Sequence, residues 1–337
     1  MTSTPPVAAV SQTAPEGGSD QAKTAIHGRS RGQLALARLR RDKVTLTALV
    51  ICAALLLVAA ISPVLSHWGV IDPLRNNPHL VTEVGSLPNG PGGGMSWQHW
   101  MGVEPGTGRD LLSRIVAGLT ISLTVAVLAS LLTVVMGTCL GIIAGISKGK
   151  TDWAISRLMD IVLSFPQLLM LLSLAPILVG VMHQRLHLPE GTPSQIGFMV
   201  LVLGCFGWPQ IARIVRGQVL SLREQEFIEA ARSLGARRAQ LYFKEILPHL
   251  WAPILVYVTL VMPQYIAAEA TLGFLGVGIQ APTPSLGSLL NDSVTYAVVD
   301  PAYFIFPGAT LAVVVLAFNL LGDGLRDVLD PKGGTRA

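Results

Sequence analysis

The 337-residue chain is 51% hydrophobic and only 13% charged, and its mean hydropathy is +0.55. Soluble domains carry roughly 25% charged residues, so the composition excludes an ordinary soluble protein and predicts an integral membrane protein. The net charge of +4 would suit a nucleic-acid partner, but the positions of the basic residues favour membrane topology as its cause.

The chain begins with a polar, basic segment. Residues 1–43 are rich in Ala, Ser, Thr, Pro and Gly and show no apolar period, which predicts a disordered tail. Residues 44–66 carry no charge and are long enough to cross a bilayer of about 30 Å as a first helix. Residues 67–118 then form a long hydrophilic loop, expected on the extracytoplasmic side, with the sequence PNGPGGG at its centre.

Five further apolar segments follow. Because backbone groups in lipid need internal hydrogen-bond partners, each is expected to be helical. The predicted fold class is an all-α integral membrane protein with six transmembrane helices, a five-helix core over residues 119–331 and a C-terminal tail at 332–337. The five segments are Leu119–Ile146, Ile155–Met182, Gln195–Val215, Leu250–Val277 and Tyr303–Leu321.

The basic residues predict the orientation of these spans. An even number of spans places both termini on one side of the membrane. If the N-terminal tail is inside, most of the 24 Lys and Arg residues lie on that side, in the two tails and in the loops that follow the second and fourth spans. The positive-inside rule therefore predicts that both termini are cytoplasmic.

The longest polar stretch between apolar spans covers residues 221–248. Ser221 followed by Glu224 matches a capping box and predicts a helix start. Gly235 is placed where a helix would end in a left-handed cap. The predicted helix has an apolar stripe at helical spacing, formed by Phe227, Ala231 and Leu234.

A second short helix is expected from about Arg237, with Pro248 as its end. The small side chains of Ala230 and Ala231 would let a partner approach the first helix closely, and the flanking arginines suit an anionic surface. An ordinary amphipathic helix at the membrane interface is the alternative interpretation.

This stretch resembles the EAA loop of the membrane permease subunits of ABC importers. Glu229-Ala230-Ala231, then Gly235, then Ile246-Leu247-Pro248 carry the resemblance, although Glu245 occupies the place where the family usually has Ile. In that family the loop forms a coupling helix that fits a cleft in a cytoplasmic ATPase. The resemblance implies that ATPase coupling rests on Glu229, Ala230, Ala231, Arg232, Gly235, Arg237, Leu247 and Pro248.

The third span carries a second motif, RLMDIVLSFP, over residues 157–166. Arg157 and Asp160 are three residues apart on one helical face, which predicts a buried ion pair, and Pro166 is expected to bend the span. The same order of residues resembles the third span of peptide-type permeases, as does the segment from Trp208 to Phe227.

Two further segments resemble the dipeptide/oligopeptide branch of these permeases. They are the glycine- and proline-rich run 273–287 and the C-terminal end around Gly322-Asp323-Gly324. Gly108-Arg109-Asp110 in the long loop also matches, whereas Val103-Glu104 just before it departs from the more usual Thr-Asp. The resemblance covers roughly residues 100–331 and implies a type I ABC importer permease.

Glu269 is a carboxylate well inside the fifth span, where an acid is costly and usually faces a partner or a wet path. One hypothesis is that Glu269 lines or gates the translocation route. The other is that it accepts hydrogen bonds that lock its span against a neighbour.

Two patterns that suggest bound ligands are rejected. Residues 144–151 fit a relaxed P-loop, but a P-loop needs a strand before it, and here a membrane span precedes it. His183 and His187 are four apart, yet no third ligand is evident, so no metal site is predicted. We expect this chain to bind no cofactor and to have no catalytic residue, with ATP and Mg²⁺ held by separate ATPase chains.

The resemblance implies an importer with several partners: a homologous second permease, two cytoplasmic ATPase subunits and an extracytoplasmic binding protein. The resemblance also implies that the chain lies in the bacterial cytoplasmic (inner) membrane and crosses it several times. Peptides are the expected cargo; nickel or another small solute is the alternative within the family. An ATPase-independent channel or secondary transporter would call for paired intramembrane carboxylates beyond the single Glu269.

Overall fold

A computed structural model of the chain describes residues 42–83, 85–174, 177, 191–237 and 240–329. Most of the N-terminal tail, the two histidines at 183 and 187, the end of the predicted third span and the C-terminal tail lie outside these residues. The predictions made for them are therefore not addressed by the structure.

The described residues form an all-helical fold, with isolated bridges but no strand among them. Five of their helices are long and apolar enough to cross a membrane, and a bent pair makes six if it counts as one span. The predicted all-helical class with several spans is thus confirmed. The α-helices of at least eight residues are α1 Lys43–His67, α2 Leu111–Ile146, α3 Lys150–Leu163, α4 Gln167–Leu174, α5 Thr192–Leu222, α6 Glu226–Ser233, α7 Leu247–Phe274, α8 Leu286–Val294 and α9 Pro301–Leu329.

Two aspartates set the starts of the first two long helices. Asp42 accepts hydrogen bonds from the backbone N–H groups of Val44 and Thr45 at the start of α1. The Thr45 hydroxyl also donates to Asp42 and, with these bonds, lowers the pKa of its carboxyl. Asp110 accepts from Ser113 N at 2.8 Å, so α2 begins at Leu111, two turns before the apolar run that predicted a start at Leu119.

The centre of the fold is the packing of α2 along α5. Gly137, Gly141 and Gly145 on α2 are spaced one turn apart and face α5. A Cβ atom at Gly141 would lie 2.7 Å from the Ala212 carbonyl oxygen, so only glycine permits this approach. Small residues at four-residue spacing are how membrane helices bring their backbones together.

A second buried contact ties α7 to α2. The hydroxyls of Tyr265 and Thr133 lie 2.6 Å apart and form a buried hydrogen bond. Gly207 on α5 leaves the space that the Tyr265 ring end occupies. These three helices, with α9 and α1 around them, enclose the main apolar core.

The predicted third span is broken rather than smoothly bent. Helices α3 and α4 meet at 83° across residues 164–166. Pro166 lacks an N–H and cannot continue the hydrogen-bond ladder, while Ser164 caps α3 by bonding back to Asp160 and Ile161. Residues 144–151, which fit a relaxed P-loop, form the end of α2, a short turn and the start of α3, without the strand that a P-loop requires.

Candidate functional site

The described residues 223–237 and 240–246 form a hairpin between α5 and α7, and the helix ends beside it are called here the coupling end of the molecule. The first helix of this hairpin, α6, starts at Glu226 and not at Ser221. The predicted capping box is therefore wrong, because α5 continues through Ser221 to Leu222. Arg223 to Gln225 make the turn between the two helices.

One face of α6 is buried against the ends of α5 and α7. Ile228 is 1% exposed and contacts a small apolar cluster that includes Val219 of α5 and Leu250 of α7. Phe227 and Ala231 pack on the same cluster. The predicted stripe is correct for these two residues and wrong for Leu234, which is 88% exposed.

The end of α6 has the predicted left-handed cap. Gly235 has φ +82°, and the N–H of Ala236 bonds to the Ala231 carbonyl at 3.1 Å. This i to i−5 bond is the Schellman arrangement, which satisfies a carbonyl at the helix end. A Cβ atom on Gly235 would touch nothing within 4 Å, so its requirement for glycine is one of backbone conformation alone.

The second half of the hairpin differs from the prediction. A wide π-helical turn over Leu241–Ile246 runs directly into α7, and Pro248 lies in the first turn of that helix. Pro248 therefore starts a helix instead of ending one. It has no N–H to offer, which is harmless in a first turn.

The exposed residues of the hairpin and of the first turn of α7 are called here the coupling surface. Carboxylates lie at the start of α6, where they suit the positive end of the helix dipole, an apolar knob lies at Leu234, and a cation follows at Arg237. Arg232 belongs to α6, and Ala231 and Leu247 are partly buried. Its exposed members are Glu226, Glu229, Ala230, Leu234, Gly235, Arg237 and Pro248.

Two ion pairs near the coupling end connect α5 to α3. Arg216 of α5 makes two contacts with Asp152 of α3, at 2.7 and 2.9 Å. Arg213 contacts Asp160 at 2.7 Å. The predicted pair of Asp160 with Arg157 is therefore wrong, because Asp160 finds its partner on the neighbouring helix, and its ion pair is exposed rather than buried.

Arg223 adds a third connection at the coupling end. Its Nη1 donates to the Gly145 carbonyl oxygen at 3.2 Å, at the end of α2. The turn that leads into α6 is thereby attached to α2 as well as to α5.

Glu269 is fully buried inside the chain, with 0% exposure. Neither carboxylate oxygen has a hydrogen-bond partner of standard geometry, although the Ser122 and Ser285 hydroxyls are near enough to interact with it. Both serine oxygens already accept backbone N–H groups, Ser122 from Leu286 and Ser285 from Ser288. Their hydroxyl protons are thus free to point at the carboxylate, between α2, α7 and the start of α8.

A buried polar cluster at the opposite end, called here the loop-end cluster, was not recognised from the sequence. Glu104 accepts from the Tyr303 hydroxyl at 2.8 Å and from the Thr107 hydroxyl at 2.6 Å, and the Arg114 guanidinium lies 3.4 Å away. Glu104 is one of the two residues, with Val103, that depart from the family pattern. Asp292 of α8 approaches Arg114 at 4.0 Å. Burial first, and then the Glu104 charge, raise the pKa of Asp292, while Arg114 opposes that shift.

Two family models match the chain. Residues 137–333 match the family described as "Binding-protein-dependent transport system inner membrane component". Residues 30–79 match the family described as "N-terminal TM domain of oligopeptide transport permease C". The first of these matches spans more than half of the chain and includes the whole hairpin.

Curated relatives agree with these matches over most of the chain. The dipeptide transport system permease protein DppC of Alkalihalophilus pseudofirmus is 36% identical over 88% of this chain and 89% of its own length. The glutathione transport system permease protein GsiD of Salmonella paratyphi A is 38% identical, with 88% of each chain covered.

A solved structure shows the same fold. The structure titled "Inward facing conformations of the MetNI methionine ABC transporter" aligns with a TM-score of 0.51 and 20% identity. The alignment covers 65% of this chain and 98% of that one. The chain therefore belongs to the family of inner membrane components of binding-protein-dependent transport systems, as a multi-pass transport subunit of an ABC importer.

Proposed function

We propose that this chain is one of two permease subunits of an ATP-driven importer for peptides, coupled to ATP hydrolysis through the α6 hairpin. Relatives named for the transport of dipeptides and of glutathione, itself a tripeptide, support the choice of cargo. The observation that carries the coupling role is the hairpin itself. Its inner face is fixed on an apolar cluster of its own, and its outer face is free for a partner.

The proposal assigns the energy source to other chains. Two cytoplasmic ATPase subunits would hold ATP and Mg²⁺, and one of them would receive the coupling surface in a cleft. A homologous second permease would complete the translocation route, and an extracytoplasmic binding protein would deliver cargo. The hairpin and both termini would then be cytoplasmic, in agreement with the distribution of Lys and Arg.

The contacts described above supply a route for force through this chain. Ile228 connects α6 to α5 and α7 through packed side chains, which transmit displacement because protein interiors are close-packed. Arg216 passes the displacement of α5 to α3 through its two contacts with Asp152. Movement of the hairpin would thereby tilt several spans together, with no covalent step in this chain.

Leu234 provides a sharp test of the coupling role. Fully burying a Leu side chain in a partner's cleft is worth about 1.5–3 kcal/mol, or roughly 10- to 150-fold in affinity. We expect Leu234→Glu to weaken ATPase binding by at least about tenfold and to reduce peptide uptake in parallel. Glu229→Lys, which reverses the charge near the start of α6, should act in the same direction.

The matched control is Val298, which is 93% exposed in the turn between α8 and α9 at the other end of the chain. Val298→Glu should leave co-purification of the ATPase unchanged. The measurement is co-purification together with uptake by reconstituted complexes. Normal ATPase docking and normal import in Leu234→Glu and Glu229→Lys would refute the coupling role, and uptake without any ATPase chain would favour a channel or secondary transporter.

A further inference from the structure

Two ion pairs join α3 to α5, and they differ in exposure. In the Asp152–Arg216 pair the side chains are 25% and 29% exposed, and the contact is bidentate. In the Asp160–Arg213 pair they are 54% and 58% exposed, with a single contact of 2.7 Å. The first pair has the geometry of a fixed contact that braces the two helices. In the second pair, more than half of each side chain is exposed, so the contact is weaker.

The exposed pair lies about two to three helical turns from the coupling end. Arg213 is nine residues before the end of α5, which places its Cα about 13 Å from the coupling end. Asp160 is ten residues into α3, about 15 Å from the same end. Charged side chains on membrane-crossing helices are costly against lipid tails, so they face headgroups, a partner or a water-filled path instead.

Polar residues continue from this pair onto α7. Gln210, one turn of α5 before Arg213, is exposed and accepts from the Tyr257 hydroxyl at 3.4 Å. Gln264 follows Tyr257 by seven residues, on the same face of α7, and is also exposed. These five residues, Asp160, Gln210, Arg213, Tyr257 and Gln264, are called here the polar face.

The exposed surface of other spans is different. The outward side of α1 is apolar, with Val50 at 61% and Leu57 at 60% exposure, and Leu131 of α2 is 58% exposed. Such side chains suit contact with lipid tails. Glu269, in contrast, is enclosed by its own chain and is in contact with neither lipid nor a path in this structure.

We propose that the polar face is this chain's wall of the translocation route, and that Asp160 and Arg213 form a station for the charged groups of a passing peptide. This inference rests on the proposed function. The carboxylate of Asp160 would receive the peptide's ammonium group, and the guanidinium of Arg213 would receive its carboxylate. An exposed ion pair is weak, so the charged groups of a peptide can displace the contact between Asp160 and Arg213 and then dissociate. A transport site requires binding that is weak enough for the cargo to leave.

Thiol labelling of the assembled importer tests whether the polar face is wet. The test uses a chain in which Cys52, Cys139 and Cys205 have been replaced by Ala, carrying either Asp160→Cys or, as the matched control, Leu131→Cys. Both sites are more than half exposed in the chain, but Leu131 belongs to an apolar surface. A charged, membrane-impermeant methanethiosulfonate should label the cysteine at 160 and not the one at 131. Absence of labelling at 160 in the assembled complex would overturn the proposal in favour of a contact with the second permease.

Transport measurements test the station itself. Asp160→Asn and Arg213→Gln should each lower peptide uptake per assembled complex by about three- to fivefold, the size of an exposed ionic contact, with assembly unchanged. Asp152→Asn, which breaks the brace, should instead lower the yield of assembled complex. Unchanged uptake per complex in both station variants would overturn the proposal. Because wild-type uptake and ATPase docking are measured in the same preparation, that outcome would leave the importer function standing.

Discussion

Glu269 shows how much the surroundings of a residue change its interpretation. From the sequence, a carboxylate in a span is equally suited to a transport path and to a structural lock. In the structure it is completely enclosed, beside two hydroxyls whose oxygens are already engaged as acceptors. Its surroundings therefore favour the lock, in which Glu269 holds Ser285 and the start of α8 against Ser122 of α2.

The lock predicts different results for two substitutions of Glu269. Glu269→Gln keeps an acceptor for the serine hydroxyls, so we expect normal assembly and normal uptake per complex. Glu269→Ala leaves Ser122 and Ser285 without that acceptor and should reduce the stability of the complex by about 1–3 kcal/mol. Assembly and uptake should be measured separately. Reduced uptake by an intact Glu269→Gln complex would show that the residue acts on the path.

The positive φ of Gly235 predicts a substitution effect that depends on backbone conformation alone. Its φ of +82° is unfavourable for any residue with a Cβ, while no neighbouring atom would obstruct that Cβ. Gly235→Ala should therefore loosen the end of α6 by about 1 kcal/mol, seen as faster amide hydrogen exchange at residues 233–236. The matched control is Gly197 of α5, which also has open space but lacks a positive φ. Gly197→Ala should be neutral or slightly stabilising, and equal effects at the two sites would contradict the explanation.

At the scale of the helices, apolar runs predict where a span exists but not where its helix ends. The first span was placed within one residue at each end, because α1 coincides with an uncharged run. The start of α2 was missed by eight residues, because Asp110 caps the helix and Arg114 in its first turn pairs with Glu104. The Asp110 cap is a local signal and the Arg114–Glu104 contact a tertiary one, and hydropathy registers neither.

Sequence spacing alone also fails to predict which face of a short helix is buried and which partner an ionic residue contacts. Spacing alone pairs Asp160 with Arg157, yet a neighbouring helix offers Arg213 at 2.7 Å. In α6 the spacing of apolar residues included Leu234 and passed over Ile228, because the phase of so short a helix is set by what it packs against. Gly235, in contrast, was predictable, since a left-handed cap is a local requirement of the backbone.

At the scale of the molecule, the two ends of the bundle are built differently. The coupling end has a small apolar cluster, one exposed ion pair and one half-buried ion pair, and the cluster lets the hairpin move as a unit with α5 and α7. The loop end has the buried polar cluster, which joins the long loop through Glu104, α2 through Arg114 and α9 through Tyr303. We infer that the loop end holds the helices together while the coupling end is displaced.

The loop-end cluster predicts a non-additive result. Arg114 and Glu104 are 3% and 8% exposed, so removing one of them leaves a buried charge without its partner. Arg114→Met should destabilise the complex by about 3–5 kcal/mol, and adding Glu104→Gln should recover most of that loss, because a neutral amide does not need the guanidinium. Thermal unfolding of the purified complex measures both. As a control, Arg109 makes an exposed hydrogen bond to Asn76, and Arg109→Met should cost less than about 1 kcal/mol. Additive losses in the double variant would mean that Arg114 and Glu104 act independently, and that the loop end is held by other contacts.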